Sequence, residues 1–341
     1  MLAEGYDETR KTLYTQQHYY PELYHEHSPL VLAVYSERSN LVRLWTKRPA
    51  LFAGQQTRYD PGIDIMTVRF TKMHGLGNDF MVIDAVNQSV RLSEQEIIAL
   101  GRRDTGIGFD QCLLIEPGRR EGMDFFYRIF NADGQEVGQC GNGARCLARF
   151  VSHYGLTTKK RISVATNTTE MILQINPDDS VTVDFGLPLL QPAQIPLQAD
   201  AQADYYIIPL ANGSQHRVHA LSVGNPHAVT LVTDLTSAPV ESLGREISEH
   251  ALFPEQVNAG FMAIRNAGHI DLRVYERGCG ETRACGSGAV AAAVAGRLFH
   301  RLDSRIVVTL PGGSLVVDWE NDASPIYLTG PACFVYEGKL L

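Results

Sequence analysis

From Thr67 onward the apolar residues fall in short runs of strand character separated by turn residues. Val68 and Phe70, then Met81-Val82-Ile83, flank the turn His74-Gly75-Leu76-Gly77-Asn78-Asp79. Ser93-Glu94-Gln95-Glu96 forms a capping box, with Ser at the N-cap and Glu three residues on, and predicts a helix through about Arg102. Cys112-Leu113-Leu114-Ile115 and Phe125-Phe126-Tyr127-Arg128-Ile129-Phe130 predict strands rich in β-branched or aromatic side chains. Asn131-Ala132-Asp133-Gly134 is a turn, after which a helix opens at Cys140 and stops at Gly155. Further strands are predicted near 161–166, 170–175 and 180–185.

The proline-bearing run from Gly186 to Pro196 has the composition of a connector, and beyond it the order of parts repeats. Gly77-Asn78 is answered by Gly224-Asn225, Gly108-Phe109 by Gly260-Phe261, and Arg128-Ile129-Phe130 by Arg273-Val274-Tyr275. Glu136 is answered by Glu281, and Arg161-Ile162-Ser163-Val164 by Arg305-Ile306-Val307-Val308. The two helix starts, Cys140-Gly141-Asn142-Gly143-Ala144 and Cys285-Gly286-Ser287-Gly288-Ala289, stand 145 residues apart. One such match carries little; several in the same order predict an α+β chain of two duplicated domains related by a pseudo-two-fold, with a ligand site in the cleft between them. The predicted halves are residues 66–185, rejoined by 330–341, and 186–329. Residues 1–65 hold seven of the 14 tyrosines and no sustained period, and are expected to be an extension that activity does not need.

Composition narrows the class. A length of 341 residues accommodates two domains with separate cores, and 44% hydrophobic with 20% charged residues is the composition of a globular protein. A net charge of -8, with no basic run longer than Lys159-Lys160-Arg161, argues against nucleic acid as a partner. No apolar stretch approaches the roughly 20 residues that span a bilayer, and Glu4, Asp7 and Glu8 stand where a signal peptide needs a basic start and an apolar core. The expected location is the cytoplasm, without a membrane partner, and there the six cysteines are expected to be reduced.

A cysteine at a helix start sits where free backbone N–H groups and the positive end of the helix dipole favour thiolate. Other chemistries compete for the motif. Zinc is disfavoured because six residues turn a helix by roughly 240°, so Cys140 and Cys146 diverge. Burial as small hydrophobes suits Cys146, Cys112 and Cys333, and leaves Cys279 undecided. Gly286-Ser287-Gly288-Ala289-Val290-Ala291 fits the dinucleotide pattern, yet no buried strand directly precedes it. A Cys/His nucleophile with His74 or His227 as base explains one cysteine and leaves the duplication unexplained. Two equivalent cysteines suit a nearly symmetric reaction, in which one removes a proton from a carbon and the other returns it from the opposite face. The helix N-termini then hold a carboxylate and steady the carbanion, with no cofactor called for.

The motifs Lys72-Met73-His74-Gly75-Leu76-Gly77-Asn78-Asp79-Phe80, Phe130-Asn131-Ala132-Asp133-Gly134, Gln139-Cys140-Gly141-Asn142-Gly143-Ala144-Arg145, Gly224-Asn225-Pro226-His227, Tyr275-Glu276-Arg277-Gly278 and Ala284-Cys285-Gly286-Ser287-Gly288-Ala289 together resemble the diaminopimelate epimerase family, in order from about Met66 to Leu341. The resemblance implies two domains, each a strand-rich sheet wrapped around a central helix, closing on the substrate. It implies cofactor-free conversion of LL- to meso-diaminopimelate, in lysine and peptidoglycan precursor synthesis, with Cys140 and Cys285 as the two bases. His227 and Glu276 match groups that assist proton transfer. Asn78, Gln111, Asn131, Gly141, Asn142, Asn225, Asn258, Glu276, Arg277, Gly286 and Ser287 match ligand contacts. The family also implies a homodimer, with Tyr336 in the interface region. Cys279 departs from the small residue expected in the family's Glu-Arg-Gly-x-Gly-Glu-Thr turn and raises the prospect of an off-path disulfide. A proline or hydroxyproline racemase, and a thiol redox or metal-binding module, are the alternative readings of the same cysteines.

Overall fold

The structure is a computed structural model. It describes residues 68–138 and 140–340, together with the backbone of four short strands upstream, Gly5–Asp7, Thr12–Tyr14, Leu32–Tyr35 and Leu41–Val42. Those strands apart, the extension expected over residues 1–65 lies outside the described residues.

The first half begins with the antiparallel hairpin β1 (Arg69–Gly75) and β2 (Asn78–Asp84), whose turn holds Leu76 and Gly77 at φ 56 and 86. Helix α1 (Glu94–Gly101) carries the predicted capping box. Ser93 Oγ accepts the Glu96 N–H at 3.3 Å, and the Glu96 carboxylate accepts the Ser93 N–H at 2.8 Å. It leads to β3 (Gln111–Pro117), parallel to β2, then to β4 (Phe125–Asn131), antiparallel to β3, and β5 (Glu136–Val137), antiparallel to β4. Helix α2 (Gly141–His153) follows, then β6 (Arg161–Ala165), parallel to β4, and the antiparallel β7 (Glu170–Ile175) and β8 (Val181–Asp184).

Strand period sorts the side chains onto two faces. Cys112 and Leu114 join Met81, Ile83, Ile97 and Leu100 under α1. Leu113 and Ile115 join Val82, Ala144, Leu147 and Val151 around α2. The sheet therefore encloses α2 and carries α1 on its outer face.

The second half repeats this plan. Strands β9 (Tyr206–Pro209), β10 (Gln215–Ser222) and β11 (Pro226–Leu231) are antiparallel in turn, and after α3 (Val240–Ser248) β12 (Asn258–Asn266) runs parallel to β11. Next come β13 (His269–Glu276) and β14 (Gly280–Thr282), helix α4 (Gly286–His300), β15 (Arg305–Leu310) parallel to β13, and the antiparallel β16 (Gly313–Asp318) and β17 (Tyr327–Gly330). Residues 289–295 of α4 are all buried, which explains their small side chains. A Cβ added at Gly288 would lie 2.9 Å from Val274 Cγ2, so strand and helix meet there at backbone distance.

The halves join where β8 pairs antiparallel with β17, with Val183 opposite Leu328. These residues are 145 positions apart, like the two cysteines, so the pseudo-two-fold passes through their pair. Phe185 packs against both cores at this seam. The final strand β18 (Cys333–Leu340) crosses back to pair with β1, as β9 pairs with β10 in the other half.

Two expectations change. Strand register sets Gln111 beside Phe80 and Asn258 beside His227, so Gln111 and Asn258 are the equivalent residues. Gly260-Phe261 lies inside β12, whereas Gly108-Phe109 precedes β3, and the repeated dipeptide was a local coincidence. Cys333, expected to be buried, is exposed because it opens β18 on the outward side; Cys112 and Cys146 are buried.

Candidate active site

Each central helix opens on a cysteine in extended conformation: Cys140 at φ -153 caps α2, and Cys285 at φ -116 caps α4. The two starts meet across the seam through Asn142. Its Nδ2 donates to Asn78 Oδ1 at 3.1 Å and to the carbonyl of Ala284, the residue before Cys285, at 3.2 Å. Gly141 and Gly286 are the first residues of their helices, and a Cβ on Gly286 would stand 3.6 Å from Asn142 Oδ1.

The sulfurs differ in surroundings. Cys140 is half-buried, accepts the Gly143 N–H at 3.3 Å, and lies 3.9 Å from Asn78 Oδ1. Cys285 is buried and lies 3.7 Å from Ser287 Oγ, with no side-chain capping bond to its helix. Its S–H donates to the Glu276 carboxylate. Burial pushes Cys140 up to about 11 against the opposing pull of the Gly143 N–H, with Glu276 adding to the rise and Arg145 opposing it. Burial raises Cys285 well above the usual thiol value, and the Glu276 charge raises it further. Glu276 is itself raised by burial, with hydrogen bonds from Thr282 and Cys285 working against that rise.

Around the helix starts, strand ends deliver amides. Asn78 opens β2 and donates to Asp110 Oδ2 at 2.9 Å; Gln111 opens β3 and donates to Asn131 Oδ1, at the end of β4, at 2.9 Å. From the other half, Asn225 Nδ2 donates to Ser287 Oγ at 3.2 Å, and His227 Nε2 lies 3.0 Å from Asn225 Oδ1. Asn258 donates to the Pro226 carbonyl at 3.1 Å and accepts the Arg277 N–H at 3.0 Å. Burial holds His227 down to about 3, so it is neutral, and with Nε2–H given to Asn225 its Nδ1 keeps a lone pair. Gln111 Oε1 and His227 Nδ1 are buried without a hydrogen-bond partner among the described residues. Such orphaned polar atoms at strand ends fit a polar ligand. Arg277 is exposed at the rim, its Nη1 on the Glu255 carbonyl at 2.9 Å. Tyr336 lies elsewhere, on β18, edge-on to Phe70 at 6.1 Å.

Three contributors escaped the sequence reading. Asp110 holds Asn78 and also takes Arg103 Nη2 at 2.7 Å; its signal was a carboxylate just ahead of a buried strand. Thr282 donates to the Glu276 carboxylate across the β13–β14 pair. Arg145 is fully buried inside α2, and its signal was a charge in the run Ala144-Arg145-Cys146-Leu147-Ala148, where the second copy has Val290.

The fold is that of a known class of duplicated α+β proteins. A hydroxyproline epimerase from Agrobacterium vitis superposes with a TM-score of 0.59 at 14% identity, over 81% of this chain and 93% of that one. A PhzF-family phenazine biosynthesis protein from Bacillus anthracis does so at 0.56 and 15%, over 81% and 99%. Within the class the family is settled by sequence: the family model for diaminopimelate epimerase matches residues 70–190 and 219–335. Diaminopimelate epimerases of Legionella pneumophila strains Corby and Paris are each 62% identical over 276 residues, which is 81% of this chain and 100% of theirs. The chain belongs to the diaminopimelate epimerase family, and it is an isomerase.

Proposed function

We propose that this protein converts LL-2,6-diaminopimelate to the meso form without a cofactor, moving one α-proton between Cys140 and Cys285. The observation that carries the mechanism is the meeting of two cysteine-capped helix starts through Asn142 and Ala284; the substrate follows from the family. One sulfur, as thiolate, takes the α-proton and becomes S–H. The other, as thiol, gives its proton to the opposite face of the carbanion and becomes thiolate. The N–H groups at Gly141, Asn142, Gly286 and Ser287 hold the reacting carboxylate and the charge that develops on it. Glu276 accepts the Cys285 proton when that cysteine is to act as base, and His227 Nδ1 offers a neutral lone pair on the same wall. Asn78, Gln111, Asn131, Asn225 and Asn258 can both donate and accept toward the ammonium and carboxylate groups, while Arg277 at the rim can fork the distal carboxylate.

The catalytic unit is two domains, residues 66–185 with 330–341, and 186–329, and the assembly a homodimer with Tyr336 in its interface. It works in the cytoplasm on a small molecule. Among the described residues no helix is long and apolar enough to cross a membrane. The test is α-proton exchange in deuterated water with no cofactor added. LL-diaminopimelate should yield a meso form carrying deuterium at the inverted α-carbon, whereas proline and hydroxyproline should stay protiated. Exchange into proline, or none into diaminopimelate, overturns the assignment.

A further inference from the structure

Arg145 presents a charge that the reaction as described leaves unused. It is 0% exposed, and every group it bonds is a neutral oxygen. Nη2 donates to Asn142 Oδ1 at 2.9 Å, Nε to the Pro331 carbonyl at 3.2 Å, and Nη1 to the Gly141 carbonyl at 3.5 Å. Glycines from three elements make room for it. A Cβ at Gly75 would stand 3.1 Å from Nη2, one at Gly330 3.2 Å from Nε, and one at Gly286 3.9 Å from Nη1. The guanidinium thus lies at the junction of both halves, held by the two residues that follow Cys140.

This placement is costly in two ways. A buried cation loses its hydration, and one within the first turns of a helix opposes the helix dipole. Among the described residues no carboxylate pairs with it; the groups that act on its charge are Cys146 and Cys140. The equivalent position in α4 is Val290, so that helix carries no such cation of its own.

We propose that Arg145 is a positioning residue that makes Cys140, rather than Cys285, the more readily ionised cysteine of the pair, by fixing an unpaired cation beneath the start of α2. The ionisable groups around Cys140 agree. From β4 comes Tyr127, a buried neutral phenol; from α2 itself, Cys146, a buried neutral thiol. From β13 comes Glu276, whose charge opposes a thiolate at Cys140 and opposes one at Cys285 as well. Arg145 opposes burial at Cys140 alone of the pair. Its bond to Asn142 adds a second effect, aiming the Asn142 amide at Asn78 and Ala284 and so fixing the gap between the helix starts.

The inference rests on the two-cysteine reading, and its test needs no substrate, so the two can fail separately. The full-length protein is pulse-alkylated with iodoacetamide across pH, and each cysteine peptide is followed by mass spectrometry. Exposed Cys279 and Cys333 serve as reactive references and buried Cys112 as the inert one. In the natural chain Cys140 should ionise at lower pH than Cys285. In Arg145→Met the Cys140 midpoint should rise by at least about one unit, about a tenfold slower reaction at neutral pH, with the Cys285 midpoint unmoved. Arg145→Lys, keeping the charge without the fork, should recover most of the shift. Should Arg145→Met not fold, the order in the natural chain and the Arg145→Lys profile decide. Cys285 ionising first, a Cys140 midpoint unchanged in a folded Arg145→Met, or equal shifts at both cysteines overturns the proposal.

Discussion

The two halves share a frame and differ in what they hang on it. Arg128 forks Glu136 at 2.9 and 2.7 Å, and its equivalent Arg273 forks Glu281 at 2.7 and 2.8 Å, each bracing the hairpin beside a cysteine helix. The polar residues facing the sulfurs have diverged. Register makes Asn131 the partner of Glu276, Phe80 of His227 and Gln111 of Asn258. Each sulfur feels the backbone N–H three residues on and the Glu276 charge, but Cys140 has a guanidinium beside it, where Cys285 has the Ser287 hydroxyl. Duplication supplies two cysteines at equivalent helix starts, the pair that the proposed reaction uses as its proton carriers. Divergence around them gives the two sulfurs different surroundings, and on the proposal above makes Cys140 the first to ionise.

If both sulfurs carry protons, neither half can compensate for the other. Cys140→Ala and Cys285→Ala should each lower the epimerisation rate by about a thousandfold or more, with unfolding midpoints near that of the natural chain. Near-native rates in either variant would break the pairing. A larger difference in stability than in chemistry is expected at Asp79, which belongs to the first half alone, since register sets Pro226 in the matching place. Asp79 Oδ2 meets the buried Lys72 Nζ at 2.5 Å, and Asp79 Oδ1 takes Arg103 Nη2 at 2.8 Å. Asp79→Asn leaves Lys72 buried without its anion and should cost about 3 kcal/mol in urea unfolding. Burial works against ionisation of Asp79, but the hydrogen bonds from Arg103 and Lys72 prevail and hold it well below 3.8. Its contribution is therefore complete above that value and fades as pH falls through it toward the lower folded value. A first half that melts no differently in the variant contradicts this reading of the pair.

Glu276→Gln makes the second wall resemble Asn131 in the first, and should slow turnover about a hundredfold. Because burial raises Glu276, and its carboxylate form accepts the Cys285 proton when that cysteine acts as base, the rate of the natural protein should drop as pH is lowered, with a midpoint above the usual carboxylate range. The variant should lose that acid limb, and an unchanged limb would assign it elsewhere. The smallest effects are expected where the halves agree: Arg128→Ala and Arg273→Ala should each cost about 1 kcal/mol or less in urea unfolding. A loss at one position several times that at the other would show that the two braces are not equivalent.

Much of this frame was legible in the chain because it rests on local rules. The capping box at Ser93 and Glu96, the glycine-rich helix starts after Cys140 and Cys285, and the Arg128/Arg273 and Glu136/Glu281 matches depend on neighbours in sequence. What escaped depends on distant ones. Strand period places Cys333 in a strand without saying which face is covered, and only the return of β18 to β1 decides it. The Gln111–Asn258 equivalence appears only when parallel register is known. Arg145 drew no role from the sequence because nothing nearby in the chain indicates that Gly75, Gly286 and Gly330 close around it.

The central claim, two carriers acting from opposite faces, is tested most directly by the isotope in the first product formed. LL-diaminopimelate is converted in deuterated water to a few per cent, and both isomers are read for deuterium at the α-carbon. Two carriers predict a meso product carrying solvent deuterium, with the remaining LL isomer still protiated. Protium retained in the early product would mean that one group takes and returns the same proton, and would contradict the account.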